Sequence, residues 1–272
     1  MKKMIFLAVC FMMMACSAKP YVIVQVADAQ LGFTAAIKGQ EPGAVYVNDL
    51  TYEADYLRKA VEKINEVKPD VVVFTGDQVN LFDNAEQWDL FAEIISGIDG
   101  SVKLLHVPGN HDVIISEGSV DSDPFTSRYG EDRFIYKEKG VALVGVNTNV
   151  IKYNDPSESD QYEWLSEVLK KDAQSDVTLI FGHHPFFLAD INEEDGYFQL
   201  QNAKRGRYFS LFKEMDVDAV YAGHLHNSSE GAYEGIPMKT TTSAAYQIGK
   251  LKPSIRVITV QEGEVSDDML LL

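Results

Sequence analysis

From Tyr21 to Ala222 the chain alternates short apolar, β-branched runs with segments of helical spacing, and this alternation confines it to the α/β class. The runs are Tyr21–Ala27 (YVIVQVA), Asp70–Thr75 (DVVVFT), Val102–Val107, Asp176–Phe181 and Ala219–Ala222. Runs without polar alternation read as strands covered on both faces. Between them, Asp49–Val67 carries Leu50, Ala54, Leu57, Ala60, Val61 and Ile64 at helical spacing, and Pro69 forbids its continuation. Ala85–Ile98 places Trp88, Phe91 and Ile95 on one face, and Asp160–Lys171 and Lys204–Met215 also read as helices. Phe134–Tyr136 and Val141–Val146 flank a Lys139-Gly140 turn and form a hairpin, and short strands dominate from Gly231 onward. No internal repeat or Pro/Ser-rich linker follows Pro20. Residues 21–272 therefore read as a single domain of two stacked mixed β-sheets flanked by α-helices.

The first twenty residues read as an address. A basic start, Met1–Lys3, precedes an apolar run, Met4–Ala15, that is too short to span a bilayer comfortably. It ends Met13-Met14-Ala15-Cys16-Ser17, which resembles a bacterial lipobox, in which the cysteine becomes the lipidated first residue. Residues 1–15 are then a lipoprotein signal peptide and 16–20 a lipidated Cys with a short tether, leaving the protein lipid-anchored in the bacterial cell envelope. An ordinary signal peptide cut near Ala15 or Ala18 is the competing reading. The formal charge of −17 argues against a nucleic-acid partner and against attraction to anionic lipid, so acyl chains at Cys16 would have to hold the body at a membrane. Cys10 and Cys16 are the only cysteines, so no disulfide framework and no thiolate metal site can be built in the body.

Metal-competent side chains are concentrated at the ends of the strand-like runs. Asp28 and Asp77 follow the first two runs directly, and five of the six histidines lie in GNHD, GHHP and GHLH, which contain His111, His183, His184, His224 and His226. Strand C-termini converge on one rim of an α/β sheet, where ligands bind in such folds. A lone Gly-Asp is usually a turn, and a lone Asn-His-Asp a solvated loop. Five such segments at successive strand ends make a metal site the better reading. His106, within LLHV, reads as a core histidine. Phe186 and Phe187 read as packing, and Arg128, Arg205 and Arg207 as solvated surface arginines rather than phosphate contacts.

Asp28-Ala29-Gln30, Gly76-Asp77-Gln78-Val79-Asn80, Gly109-Asn110-His111-Asp112, Gly182-His183-His184-Pro185 and Gly223-His224-Leu225-His226 resemble the five blocks of the calcineurin-like metallophosphoesterases. The resemblance runs from about Val22 to His226, and Thr240–Ala245 (TTTSAA) also fits. The first block departs from the usual D-x-H. D-x-Q with HHPFF resembles the branch of serine/threonine phosphatases with a calcineurin-like phosphoesterase domain, and D-x-Q is shared by ADP-ribose and CDP-alcohol diphosphatases. The resemblance implies a metallophosphoesterase-like α/β/β/α sandwich and a two-metal site. One ion takes Asp28, Gln30, Asp77 and His226, and the other takes Asp77, Asn110, His183 and His224, with Asp77 bridging. Mn²⁺ is the expected metal, with Mg²⁺, Fe²⁺ or Zn²⁺ as alternatives, and the nucleophile is a metal-bound hydroxide. His111 is implied as general acid at the leaving group, with Asp112 orienting its ring. Asn110 and His111 also contact the phosphate, and His184 either faces substrate or stands behind the ligands.

The implied function is a phosphoester hydrolase, the expected substrate being a phosphorylated small molecule or a phosphoprotein cleaved as a monoester. Phosphodiester or nucleotide-type diphosphate hydrolysis uses the same core. A non-catalytic lipoprotein that binds metal or phosphate is the reading from another class. No G-x-S-x-G elbow, phosphate-binding G-x-x-x-x-G-K or cysteine nucleophile offers another chemistry.

Overall fold

Val71, Val72 and Val73 are wholly inaccessible because the strand they form is covered by helices on one face and by a second sheet on the other. The computed structural model describes residues 19–171 and 175–272. The expected signal peptide and Cys16 lie outside the described residues. In chain order the elements are β1 (Tyr21–Val26), α1 (Phe33–Gly39), α2 (Thr51–Val67), β2 (Val71–Thr75), α3 (Ala85–Ile95), β3 (Lys103–Val107), β4 (Ile114–Ser116), β5 (Ser119–Asp121), α4 (Asp123–Tyr129) and β6 (Phe134–Glu138). There follow β7 (Val141–Gly145), α5 (Thr148–Lys152), α6 (Glu158–Lys171), β8 (Val177–Phe181), α7 (Asn202–Glu214), β9 (Ala219–Ala222), β10 (Glu230–Tyr233), β11 (Ile236–Thr240), β12 (Ser254–Gln261) and β13 (Glu264–Leu271).

One sheet has the order β13-β12-β1-β2-β3 and the other β10-β11-β9-β8-β7-β6. The first is parallel along β1–β2–β3 and antiparallel along β1–β12–β13, and the second is parallel along β7–β8–β9–β11 with antiparallel β6 and β10 at its edges. The sheets face each other through Ile23, Val73, Leu143, Leu179, Phe181 and Tyr221. Helices α2 and α3 cover the first sheet with Leu57, Ile64 and Phe91, and α6 and α7 cover the second with Leu165, Phe209 and Phe212. This is the two-sheet, helix-flanked sandwich expected from the sequence.

Local chemistry sets the breaks. Asn84 caps α3 by accepting the Gln87 N–H, and Lys68 leaves α2 with φ 54° just before Pro69. Lys139 (φ 50°) and Gly140 (φ 78°) make the tight turn between β6 and β7. Helices α1, α4 and α5, each seven residues or fewer, carry too little periodicity to be read from sequence. The tail differs from expectation in length: β12 and β13 are eight residues each, because β12 pairs along β1 and β13 along β12. The parallel strands β1, β2, β8 and β9 all end at one rim, and there the metal-competent side chains collect.

Candidate metal centre

Asp28, Gln30, Asp77, His224 and His226 all have positive φ, between 41° and 67°. Such backbone costs on the order of 1–3 kcal/mol per non-glycine residue and persists where surrounding structure enforces it. Here the tight turns after β1, β2 and β9 aim carboxylates, an amide and imidazoles back across the rim. Gly109 permits the closest approach: a Cβ there would lie 2.1 Å from Asp77 Oδ1. Ser243, in the TTTSAA segment, donates to the Asp28 carbonyl at 2.7 Å and fixes the first turn from behind.

The hydrogen bonds of the imidazoles define which nitrogen each presents. His183 Nδ1–H donates to the Thr75 carbonyl (2.9 Å) and His226 Nδ1–H to the Tyr246 carbonyl (2.7 Å), since a carbonyl can only accept. Both rings therefore offer Nε2. His183 Nε2 lies 3.0 Å from Asn110 Oδ1, 3.1 Å from His224 Nδ1 and 3.4 Å from Asp77 Oδ2. Two ligands about 2.1 Å from one ion, at octahedral or tetrahedral angles, stand about 3.0–3.4 Å apart. The three distances from His183 Nε2 thus match those between neighbouring donors of one coordination shell. Asp28, Asp77 and His226 form a second buried group, with His226 Nε2 3.7 Å from Asp28 Oδ1. Gln30 Oε1 is buried without a hydrogen-bond partner, while its Nε2–H reaches Asn80 Oδ1 at 3.5 Å. An unpartnered buried carbonyl oxygen two residues after Asp28 is a candidate donor for a cation.

The electrostatics make the same demand. Burial pushes Asp28 well above the usual carboxylate range, with His183 only partly offsetting it. Burial also opposes charge on Asp77 and His183, but their attraction wins: Asp77 is held below its ordinary range and His183 is raised to about 9. Burial and neighbouring rings push His184 and His224 well below the ordinary imidazole value, and burial lowers His226. Positive charge is wanted between Asp77, Asn110, His183 and His224, and a divalent ion supplies more of it than one proton does. The residues fit two cations, with Asp77 in reach of both groups.

His111, partly exposed beside this cluster, donates from Nδ1–H to the Asn80 carbonyl at 2.8 Å, and its backbone N–H donates to Asp77 Oδ1 at 2.9 Å. Its Nε2 therefore carries a proton only when the ring is an imidazolium. The expected Asp112–His111 contact is corrected: Asp112 Oδ1 accepts the Gln78 and Val79 N–H groups and Oδ2 accepts that of Gly109. Asp112 pins the second and third loops together, and the residue that holds the His111 ring is Asn80. Asn80 gave no such signal in the sequence because it acts through its backbone. His184 is buried among these imidazoles, its ring 4.2 Å from that of His224 and its Nδ1 3.4 Å from Thr148 Oγ1, and with His183 and His224 it forms a buried group able to hold a cation. Its 1% exposure disfavours the substrate-facing alternative.

Phe186 and Phe187 pack among Tyr208, Phe209 and Phe212, away from any cleft. His106 stacks between Phe74 and Tyr129 at 4.7 and 4.1 Å. Arg205 is not a surface arginine: it is fully buried and donates to the carbonyls of Leu200, Ile191 and Glu193, which tie down the loop after β8. Arg128 and Arg207 lie over the rings of Trp88 and Tyr162. The sequence reading missed the aromatic side chains nearest the centre, Phe33, Tyr197, Phe198 and Tyr246.

Residues 44–228 match the calcineurin-like phosphoesterase family, which covers more than half of the chain. The chain belongs to that family. It is a metallophosphoesterase, a hydrolase of phosphoric esters that works with divalent metal ions. The zebrafish Danio rerio protein named serine/threonine-protein phosphatase CPPED1 is 29% identical over 259 residues, covering 90% of this chain and 83% of its own. A Mycobacterium tuberculosis protein named cAMP/cGMP dual specificity phosphodiesterase is 28% identical over 197 residues, covering 71% of this chain and 60% of its own. Among solved structures, a dimetal phosphatase from Danio rerio superposes with a TM-score of 0.63 at 17% identity, covering 93% of this chain and 99% of the other. This metallophosphoesterase departs from the common first block at Gln30, which precedes the matched residues.

Proposed function

We propose that the protein is a phosphomonoesterase with a dinuclear divalent centre, acting on a phosphorylated small molecule or a phosphoprotein. The observation that carries this reading is the shared position of Asp77, whose Oδ2 faces the Asn110–His183–His224 group while its side chain also belongs to the Asp28–His226 group. Asp28, Gln30, Asp77 and His226 would hold one ion, and Asp77, Asn110, His183 and His224 the other, with Mn²⁺ the best match to the mixed oxygen and imidazole donors. Bound divalent ions supply Lewis-acid charge against the phosphate oxygens and acidify water. His111 does the proton work of the chain itself: with Nδ1–H held on Asn80, the proton at Nε2 passes to the departing alcohol oxygen and leaves a neutral ring. The Asn110 side chain stands beside it to orient a phosphate oxygen. The relative named as a serine/threonine phosphatase supports the monoester reading. The relative named as a phosphodiesterase favours a second reading, diester cleavage by the same core.

The test is phosphate release by protein that has been chelated and then loaded with Mn²⁺, on phosphoserine, a phosphopeptide, a dialkyl phosphate and a nucleoside diphosphate sugar. The expected result is the highest kcat/KM on monoesters, falling about 10²–10⁴-fold in kcat for His111→Asn. Preferential cleavage of the diester or diphosphate overturns the monoester assignment. The Ala15-Cys16 lipobox supports a further element of the reading, an envelope protein anchored through Cys16.

A further inference from the structure

The fold leaves its large exposed hydrophobic side chains on one rim. Ile37, Val45 and Val47 lie in the segment from β1 to α2, Tyr197 between β8 and α7, and Ile248 and Leu251 between β11 and β12, all connections of the rim that carries the metal centre. Val45, Val47 and Tyr197 are 83%, 67% and 64% exposed. Aromatic rings continue from this belt to the ligands. Phe33 stands 5.2 Å from the His226 ring and 6.5 Å from His111, with Tyr246 edge-on to it at 5.2 Å. At the other ligand group, Tyr197 and Phe198 stand 5.2 and 5.7 Å from the His224 ring. One pair stands at the His226 ring and the other at the His224 ring, and Phe33 also presents its edge toward His111, the residue that serves the leaving oxygen.

We infer that Phe33 and Tyr246, with Tyr197 and Phe198 at the other ligand group, form the subsite for the alcohol part of the substrate and select a phosphoester whose alcohol carries an aromatic or other apolar group. This inference rests on the phosphoester reading above and specifies its substrate class. The metal centre takes charge from the phosphate, so the alcohol is the part that the rim can discriminate. Half-exposed rings beside a desolvated site gain from covering their apolar faces, and an aromatic alcohol adds ring-on-ring contact. Away from the metal centre a strongly acidic chain offers an anionic substrate little attraction by charge, so apolar contact with the alcohol part adds what the rest of the rim can contribute.

The experiment uses two pairs of probes whose alcohols or alkyl groups differ by one ring: propyl and 3-phenylpropyl phosphonate for binding, propyl and 3-phenylpropyl phosphate for turnover. Binding of the phosphonates to the Mn²⁺-loaded protein is measured by calorimetry. The expected result is tighter binding of the phenylpropyl compound by about tenfold or more, with the same preference in kcat/KM. Phe33→Ala and Tyr197→Ala should bring both ratios toward one, Phe33→Leu should keep an intermediate ratio, and Leu271→Ser, elsewhere on the rim, should leave it unchanged. A wild-type ratio near one overturns the inference, as does a ratio unaltered in both alanine variants, since rings that merely buttress His226 and His224 would weaken both probes equally. If the phosphonate ratio is as expected but neither monoester is cleaved, the monoester reading fails and the subsite stands. If both monoesters are cleaved at equal kcat/KM and both phosphonates bind equally, the subsite fails and the monoester reading stands.

Discussion

Asp77 concentrates the chemistry of the centre in one side chain, because its two oxygens are the negative charge available to both ligand groups at once. Asp77→Asn keeps the shape and removes that charge, so it should lower metal content at both positions, whereas His226→Ala should mainly empty one. Metal analysis of the two purified variants checks this, and full occupancy in Asp77→Asn would contradict the bridging assignment. Gln30 offers a neutral oxygen where the common pattern has an imidazole nitrogen, and harder ions prefer oxygen. Wild type should therefore need added Mn²⁺ or Mg²⁺ after chelation, and Gln30→His should retain metal better and shift toward zinc or iron, as read by titration with each ion. Identical preference and retention in the two proteins would remove Gln30 from the ligand set. The positions proposed as ligands were legible in the sequence because they follow buried strands and tight turns, and strand ends converge. Asp112 was misread for a physical reason: adjacency to His111 says nothing of direction, and the carboxylate turns to three backbone amides instead. Arg205 was misread because composition cannot reveal carbonyls left unpaired by a long loop until that loop is folded over it.

At the scale of elements, the buried parallel strands announced themselves, since a run such as Val71–Phe74 has no polar face to expose. Short elements did not, because one or two turns of helix hold too few residues for a period. Strand β3 carries a consequence for stability. His106, pressed between Phe74 and Tyr129, is lowered by burial to about 3, while in the unfolded chain it titrates near 6.5. Between those values the unfolded state binds a proton that the folded state refuses. The stability associated with the neutral ring is thus fully present above about pH 6.5 and is lost as pH falls, by at most about 1.4 kcal/mol per unit. His106→Phe keeps the stacking and removes the titration. Denaturant midpoints at about pH 7.5 and about pH 5 should show the variant gaining on wild type at the lower pH. An equal difference at the two pH values would mean that His106 is charged or solvated in the folded protein.

At the scale of the whole molecule, β1 fixes a direction. It begins at Tyr21, five positions after Cys16, and ends next to Asp28, so the metal centre and the proposed anchor belong to opposite ends of one strand. Six residues of strand span about 20 Å, and the tether between Cys16 and Tyr21 is short. An acylated Cys16 would therefore hold the strand-start edge toward the bilayer and turn the catalytic rim, with its apolar belt, away from it. Acyl chains would be needed for this because a chain of net charge −17 is repelled by anionic lipid. Cys16→Ser should lose acyl labelling and leave the membrane fraction, while the wild type on vesicles should cleave a soluble phosphoester at the same kcat/KM as the detergent-released enzyme, its rim being unobstructed. Membrane association that survives Cys16→Ser would reject the anchor. Loss of activity on vesicles, restored by release, would keep the anchor and reverse the orientation, with the apolar belt then lying against lipid.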